Sequence, residues 1–424
     1  MNKTKEIFVV GFALFSMFFG AGNLILPPFL GYNGGDGWFV IAIGFILSAV
    51  IIPILGIMAH AKLQGTMFHF GVRVSPIFSW IFCVLIYIIS LTLPIPRTAS
   101  VTHEMAVAPF FNTPPILTSL VYFILVFVTV LFRSRIVEFL GKWLTPLIAI
   151  ILLAIISVGI LSAPGTMAPT SDDTKFLTGF FEGYQTFDAI GALVAGGVII
   201  VSLKLYKDYE YTAAKRFLTK AAIVAGSGLF IFYAGMILVG ALFSQELPAD
   251  ASRAEVLTGL SMLTLGNIGS TFLAVLVALA CFTTAVGVII GAADFFKELF
   301  NNSQRVYLIT AAIGCLLGVV IGQLGVGFII TIAIPVLMLL YPITIALIML
   351  NVVPDKLASK IVFKAVIFIT VLFSIPDAIN HINPDGPLSV LAENIPFSIH
   401  GLGWVLPAVI TFVAVNFYSL RRRV

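Results

Sequence analysis

Apolar runs of about 18 residues or more follow one another along nearly the whole chain, each long enough to cross a bilayer as a helix. Backbone N–H and C=O groups in lipid must be satisfied within the segment that carries them, which leaves helices or closed barrels. A barrel needs segments of about ten residues with alternating polarity, and the runs here are continuous. Only 10% of the 424 residues are charged and 60% are hydrophobic. Soluble chains carry roughly 25% charged residues, so no large soluble domain fits. The expected fold class is an all-α polytopic membrane protein. Lys3 and Lys5 before the first run resemble the start of a signal peptide. That run continues past Asn23 to Pro27-Pro28 without a small-x-small cleavage site, and reads as a retained first span.

Twelve spans are expected, near 6–30, 37–60, 76–102, 116–133, 137–162, 174–203, 213–245, 264–297, 305–323, 326–351, 359–376 and 399–420. Charge tests the count. With the N-terminus in the cytoplasm and loops assigned alternately, all but three of the 23 Lys and Arg residues fall on the cytoplasmic side or at its span ends. The exceptions are Lys175 and Arg253 outside and Arg97 within span three. The positive-inside rule therefore supports both the count and an orientation with both termini cytoplasmic. The net charge of +4 reports this topology, and no nucleic-acid partner is implied.

Span one is interrupted at Phe19-Gly20-Ala21-Gly22-Asn23, and span six at Phe180 to Asp188. Five spans separate the two, an odd number, so a second copy would enter the membrane from the opposite side. Paired interrupted helices in an inverted repeat are the architecture of one class of secondary transporters. The expected organisation is a first five-helix repeat over 6–163, a second, inverted one over 172–352, and two accessory C-terminal helices over 353–424. A broken helix frees backbone groups: N-termini of half-helices attract a carboxylate, and freed carbonyls bind a cation or an ammonium group. The bland alternative is that Gly20 and Gly22 serve close helix packing and Pro27 a kink.

Three segments together resemble the bacterial branched-chain amino acid:cation symporter family: Phe19 to Pro28, Ile95-Pro96-Arg97-Thr98-Ala99-Ser100-Val101, and Glu182-Gly183-Tyr184-Gln185-Thr186-Phe187-Asp188-Ala189. The resemblance spans nearly the whole chain. It implies the leucine-transporter fold of the amino acid–polyamine–cation superfamily. The neurotransmitter:sodium symporters share Gly-x-Gly-Asn, here Gly20 to Asn23, and a hydroxyl pair in the eighth span, here Thr283-Thr284. The resemblance implies a sodium site built from carbonyls of Ser16, Phe19 and Ala280 and the hydroxyls of Thr283 and Thr284. It places the substrate carboxylate at the N–H groups near Gly20, Ala21, Gly22 and Asn23. The ammonium would meet carbonyls around Phe181, Glu182 and Tyr184, and Phe187 would wall the side-chain pocket. A second ion at Asn23 and Glu182 is put in doubt, because Glu182 stands where those relatives carry a neutral hydroxyl residue. A titrating carboxylate is the alternative.

Ionisable residues inside a span are functional hypotheses by default. Asp188 has three readings: cation ligand, proton carrier, or a structural group that caps the second half-helix or pairs with another residue. Arg97 does not deprotonate and needs a carboxylate or carbonyls, with Glu104, Glu182 and Asp188 as candidate partners for a gating pair or a structural network. Cys83, Cys281 and Cys315 lie in apolar runs and read as packing residues. The five histidines show no metal-binding spacing, and Gly141-Lys142-Trp143 lacks the P-loop pattern, so ATP has no site. The function the resemblance implies is sodium-coupled import of leucine, isoleucine and valine across a bacterial plasma (inner) membrane, with small amino acids and the bilayer as partners. The alternative is proton coupling through Glu182 or Asp188. A membrane enzyme would need a catalytic constellation and a channel a repeated pore loop, and neither pattern is present.

Overall fold

The computed structural model describes residues 3–132, 136–170, 174–206, 211–383 and 395–421. Arg133, Arg135, Lys207, Arg422 and Arg423, which helped to orient the chain, lie outside the described residues, as does most of the last loop. Helices account for all twelve apolar segments. Span one is α1 (Lys3–Phe18) and α2 (Ala21–Gly34); span two is α3 (Trp38–Ile46) and α4 (Ile52–Leu63), joined by a π-helical stretch, Leu47–Ile51. A short α5 (Phe68–Gly71) precedes span three, formed by α6 (Pro76–Thr92) and α7 (Pro94–Thr102). Spans four and five are α8 (Pro115–Phe132) and α9 (Ile136–Leu161). Span six is α10 (Lys175–Tyr184) and α11 (Asp188–Tyr206). Then come α12 (Tyr211–Leu242), α13 (Arg253–Leu299), α14 (Gln304–Gly322), α15 (Val326–Val352), α16 (Lys360–Ile382) and α17 (Val405–Arg421).

Local sequence explains where these helices stop. Gly20 is extended at φ −110°, ψ −171°, and α2 restarts one residue later. Phe187 holds a left-handed φ of 62°, which ends the interruption of span six. Span three divides at Leu93, because Pro94 and Pro96 cannot donate backbone hydrogen bonds. Gly266 adopts φ 70° within α13 and separates a leading segment from the rest of span eight. That leading segment corrects the expected loop at 246–263. Ser252 accepts from the Glu255 N–H, and the Glu255 carboxylate accepts from the Ser252 N–H, so a capping box starts a helix there.

The spans pack as two groups. Spans one, two, six and seven lie against one another: α1 and α2 along α12, α10 on α3, and α11 on α4. Spans three, four, eight and nine share a separate core around Ile95, Phe123, Val126 and Ile289. Each group takes equivalent spans from both halves of the chain, as an inverted five-plus-five repeat requires. Within the first group the backbones touch. A Cβ on Gly31 would overlap the Ile237 carbonyl, and one on Gly240 the Pro28 carbonyl. Span six repeats the device on span two, with Gly44 against Phe176 and Gly179 against Ile41. Large apolar side chains such as Ile77, Phe132, Leu161 and Phe368 face outward, which suits a surface solvated by lipid. The apolar grooves of about 320 and 340 Å³, beside Ile223 and Trp80, belong to this outer face and not to the breaks.

On the face that charge assigns to the cytoplasm, Asp355 joins span two to the start of span eleven. It receives Lys62 at 3.2 Å and Arg73 at 2.9 Å. The Arg73 guanidinium holds the Asp355 carboxyl below the usual carboxylate range. The backbone contact between spans one and seven is the more demanding feature. Gly31→Ala should lower stability in detergent by roughly 1–3 kcal/mol through overpacking. Gly287→Ala, whose Cβ would meet no neighbour within 4 Å, should be neutral or slightly stabilising. Thermal unfolding of the purified variants checks both; equal melting of the two variants would remove the argument.

Candidate functional site

The interruptions are shorter than the sequence suggests. In span one only Phe19 and Gly20 lie outside helix, and Ala21, Gly22 and Asn23 already form the first turn of α2. In span six Phe180 to Tyr184 continue α10, and only Gln185, Thr186 and Phe187 are unwound. Thr186 manages this turn: its hydroxyl donates to the Gly183 carbonyl at 2.8 Å and accepts from the Asp188 N–H at 3.2 Å. Its hydroxyl thus satisfies the first N–H of α11, and the Asp188 carboxylate is free to bond elsewhere.

That carboxylate joins the two interrupted spans. The Asn23 side-chain amide donates to Asp188 Oδ1 at 2.9 Å and Oδ2 at 2.8 Å. The Tyr233 hydroxyl, from span seven, donates to Oδ2 at 2.9 Å and itself contacts the Asn23 amide. Asn23 Oδ1 faces the Gly20 N–H at 3.4 Å. Asp188 is 2% exposed and Tyr233 fully buried, so charge-assisted bonds here lack competition from water. Among its three readings, Asp188 does not cap its own helix through its side chain. Asn23 thus meets Asp188, and Glu182 does not join it.

Glu182, one turn before the break, forms an ion pair with Arg253 at 2.8 Å, both side chains about one-fifth exposed. The Arg253 guanidinium also lies 4.5 Å from the centre of the Phe29 ring. Arg97 pairs with none of its three expected partners. Its Nη1 donates to the Gln185 carbonyl at 2.7 Å, and its guanidinium sits 5.4 Å from the Phe187 ring centre. A Cβ on Gly22 would overlap Arg97 Nη2, so the glycine admits the guanidinium to the start of α2. Glu104 is elsewhere: its Oε1 accepts from the Val326 N–H at 2.9 Å and caps α15.

The residues that the resemblance assigned to sodium come partly together. Thr284 borders Gly20, with its Cγ2 and Oγ1 at 3.6 and 3.8 Å from where a Gly20 Cβ would stand. Thr283 donates to the Ala280 carbonyl at 2.9 Å. Ser16 lies in the last turn of α1 and Phe19 just beyond its end, where Phe19 stacks on Phe15 at 4.9 Å. Phe181 and Tyr184 lie on α10, where Tyr184 stacks on Tyr341 at 4.1 Å. The site therefore forms between the two packing groups, with Arg97 and Thr284 from one and Gly20, Asn23, Gln185 and Asp188 from the other.

Sequence reasoning missed Tyr233, Gln185, Thr186 and the role of Arg253. Tyr233 ends the aromatic run Phe230-Ile231-Phe232 and carries no signal beyond its hydroxyl. Arg253 had one: Ser252-x-x-Glu255 is a capping box, which places Arg253 at a helix start.

Comparison with known proteins agrees with this architecture. The family model described as branched-chain amino acid transport protein matches residues 3–421. The branched-chain amino acid permease BraB of Bacillus subtilis is 32% identical over 419 residues, covering 96% of this chain and 94% of that one. The branched-chain amino acid transport system 2 carrier protein of Pseudomonas aeruginosa is 32% identical, covering 97% and 95%. Among solved structures, the inward-facing conformation of Mhp1 superposes with a TM-score of 0.60 at 11% identity, covering 98% and 91%. A manganese transporter of Eremococcus coleocola gives 0.62 at 16% identity, covering 98% and 96%. At these identities the structures speak to the fold alone. The match along nearly its full length makes the chain a member of the branched-chain amino acid transport protein family.

Proposed function

We propose that this protein is a sodium-coupled symporter that imports leucine, isoleucine and valine across a bacterial plasma membrane by alternating access. The observation that carries this reading is the meeting of both interrupted spans at one buried site, with Thr284 of span eight against Gly20. Neutral oxygens near Gly20, Ala280, Thr283 and Thr284 suit a hard monovalent ion without a carboxylate. The adjoining start of α2 suits a carboxylate and the end of α10 an ammonium group. Substrate and ion would share the interruption of span one, so each stabilises the site of the other. Inward movement of one Na⁺ at 100 mV supplies about 2.3 kcal/mol from the potential alone. An apolar side-chain pocket separates one methylene by only about 1–3 kcal/mol, so the three substrates overlap.

A second reading has one specific observation in its favour. Asp188 is a buried carboxylate shared between both broken spans, and a proton there would change its bonds to Asn23 and Tyr233. Proteoliposomes separate the two readings. A sodium gradient without a pH difference should drive leucine accumulation, and a pH gradient without sodium should not. Thr284→Ala should weaken apparent sodium affinity roughly tenfold or more, as expected for the loss of one ligand to a charge. Unchanged sodium dependence would remove Thr284 from the site. Uptake driven by pH alone and lost in Asp188→Asn would establish proton coupling instead.

In the expected topology Arg253 precedes span eight on the outer side, and its pair with Glu182 would bar that side of the site. Either Glu182→Arg or Arg253→Glu alone should reduce uptake several-fold, and the double exchange should recover much of it. Coupling between contacting groups runs to about 0.5–3 kcal/mol. Purely additive losses would mean that the pair does not gate.

A further inference from the structure

We infer that Arg97 is the receptor for the α-carboxylate of the transported amino acid. The inference rests on the proposed transport function and adds to it a fixed positive group inside the site. Arg97 is 3% exposed. It forms no ion pair with Glu104, Glu182 or Asp188. Its one hydrogen bond to a described residue is Nη1 to the Gln185 carbonyl, and its buried Nε has no hydrogen-bond partner among the described residues. A guanidinium offers five donors, so this one is far from satisfied. Burying an unpaired charge is expensive, and mid-membrane arginines persist where function requires them.

Its position makes the deficit specific. Nη2 lies where the side chain of any residue but glycine at position 22 would stand, against the first turn of α2. The N-terminus of α2 carries partial positive charge, so guanidinium and helix start repel each other mildly. An anion between them is attracted by both. The unwound segment after α10 supplies the opposite polarity: the Gln185 carbonyl takes one donor, while Nη2 lies against Gly22 and Nε has no partner among the described residues. A planar carboxylate matches such a fork in bidentate fashion, which an ammonium cannot do. The guanidinium also lies over the Phe187 ring, 5.4 Å from its centre. The ligand class is thus an α-amino acid whose carboxylate bridges span three and span one, while its ammonium turns toward the acidic and carbonyl groups of span six.

The test is ligand binding to purified full-length protein, followed by thermal stabilisation in sodium-containing buffer. Three probes differ at one group: leucine, leucinamide, and 3-methylbutylamine, which lacks the carboxylate entirely. Wild-type protein should bind leucine at least about 30-fold more tightly than either analogue, the lower end for removing one partner of a buried charge pair. Arg97→Gln should weaken leucine by a similar factor while leaving leucinamide within about threefold, so that the discrimination collapses. Arg97→Lys, which keeps the charge and gives up the fork, should fall between. Gly22→Ala should also lose leucine, because its Cβ displaces a guanidinium that is still present. Leucinamide binding within threefold of leucine to wild-type protein would overturn the inference without any variant. So would an Arg97→Gln protein that keeps the wild-type preference. Failure of the proposed function looks different: no leucine binding to wild-type protein, with or without sodium. The acid-against-amide comparison then moves to whichever amino acid binds, and binding of none overturns both.

Discussion

Two helices that stop in the middle of a membrane leave N–H and C=O groups that lipid cannot satisfy. Everything else in this protein is arranged around meeting that demand. Span one stops for only two residues and span six for three, which keeps the number of freed groups small. Asn23 and Thr186 then return side-chain oxygens to the backbone at each restart. The Asp188 carboxylate, bonded by Asn23 and Tyr233, ties the two interruptions into one unit with span seven. Without that tie, each break would be a separate polar defect facing hydrocarbon, at a cost of several kcal/mol per unsatisfied group.

The same demand explains the glycines of the first packing group. Interrupted helices cannot rely on their own ladders, so they are pressed against uninterrupted ones. Span one lies on span seven and span six on span two, each through a reciprocal pair of glycines. At the Glu182 level this closeness continues, where a Cβ on Gly183 would overlap Ser48 Oγ in the π-helical stretch of span two. Dispersion and backbone proximity replace the hydrophobic effect as the driving force, because lipid tails are as apolar as the side chains they would displace.

Much of this was legible in the sequence because membrane spans are set by hydropathy and charge, which act residue by residue. The twelve spans, the paired interruptions and the polar residues that belong to them follow from patterns a single chain displays. Partners across space do not. The resemblance offers Glu182 beside Asn23 as a second ion site, and the departure of Glu182 from the neutral residue of those relatives argues against it. The continuation of α10 to Tyr184 turns Glu182 toward Arg253, while Asp188 takes Asn23. Glu104 was matched with Arg97 as an intramembrane acid, yet Pro94 and Pro96 divide span three and its carboxylate ends at the start of span ten. Tyr233 was invisible because a tyrosine in an aromatic run reads as packing until the carboxylate opposite it is known.

Where the polar contacts fall relative to the two packing groups matters for how such a molecule could move. The bonds among Asp188, Asn23 and Tyr233 lie wholly within the group of spans one, two, six and seven, so that group can shift as a body without breaking them. The contacts that cross to span three or to the helix that carries span eight include Arg97 with Gln185, Thr284 with Gly20, and Arg253 with Glu182. Any rocking between the groups must remake these contacts and the apolar packing of span eight against span one, where Leu276, Val277 and Ala280 share a core with Phe18, Ala21 and Leu24. In the proposed cycle a carboxylate at Arg97 and an ion at Thr284 would sit on two of the crossing points, and the third would bar one side. Coupling between ion and substrate then needs no pathway through the protein, because both would act on the same joint.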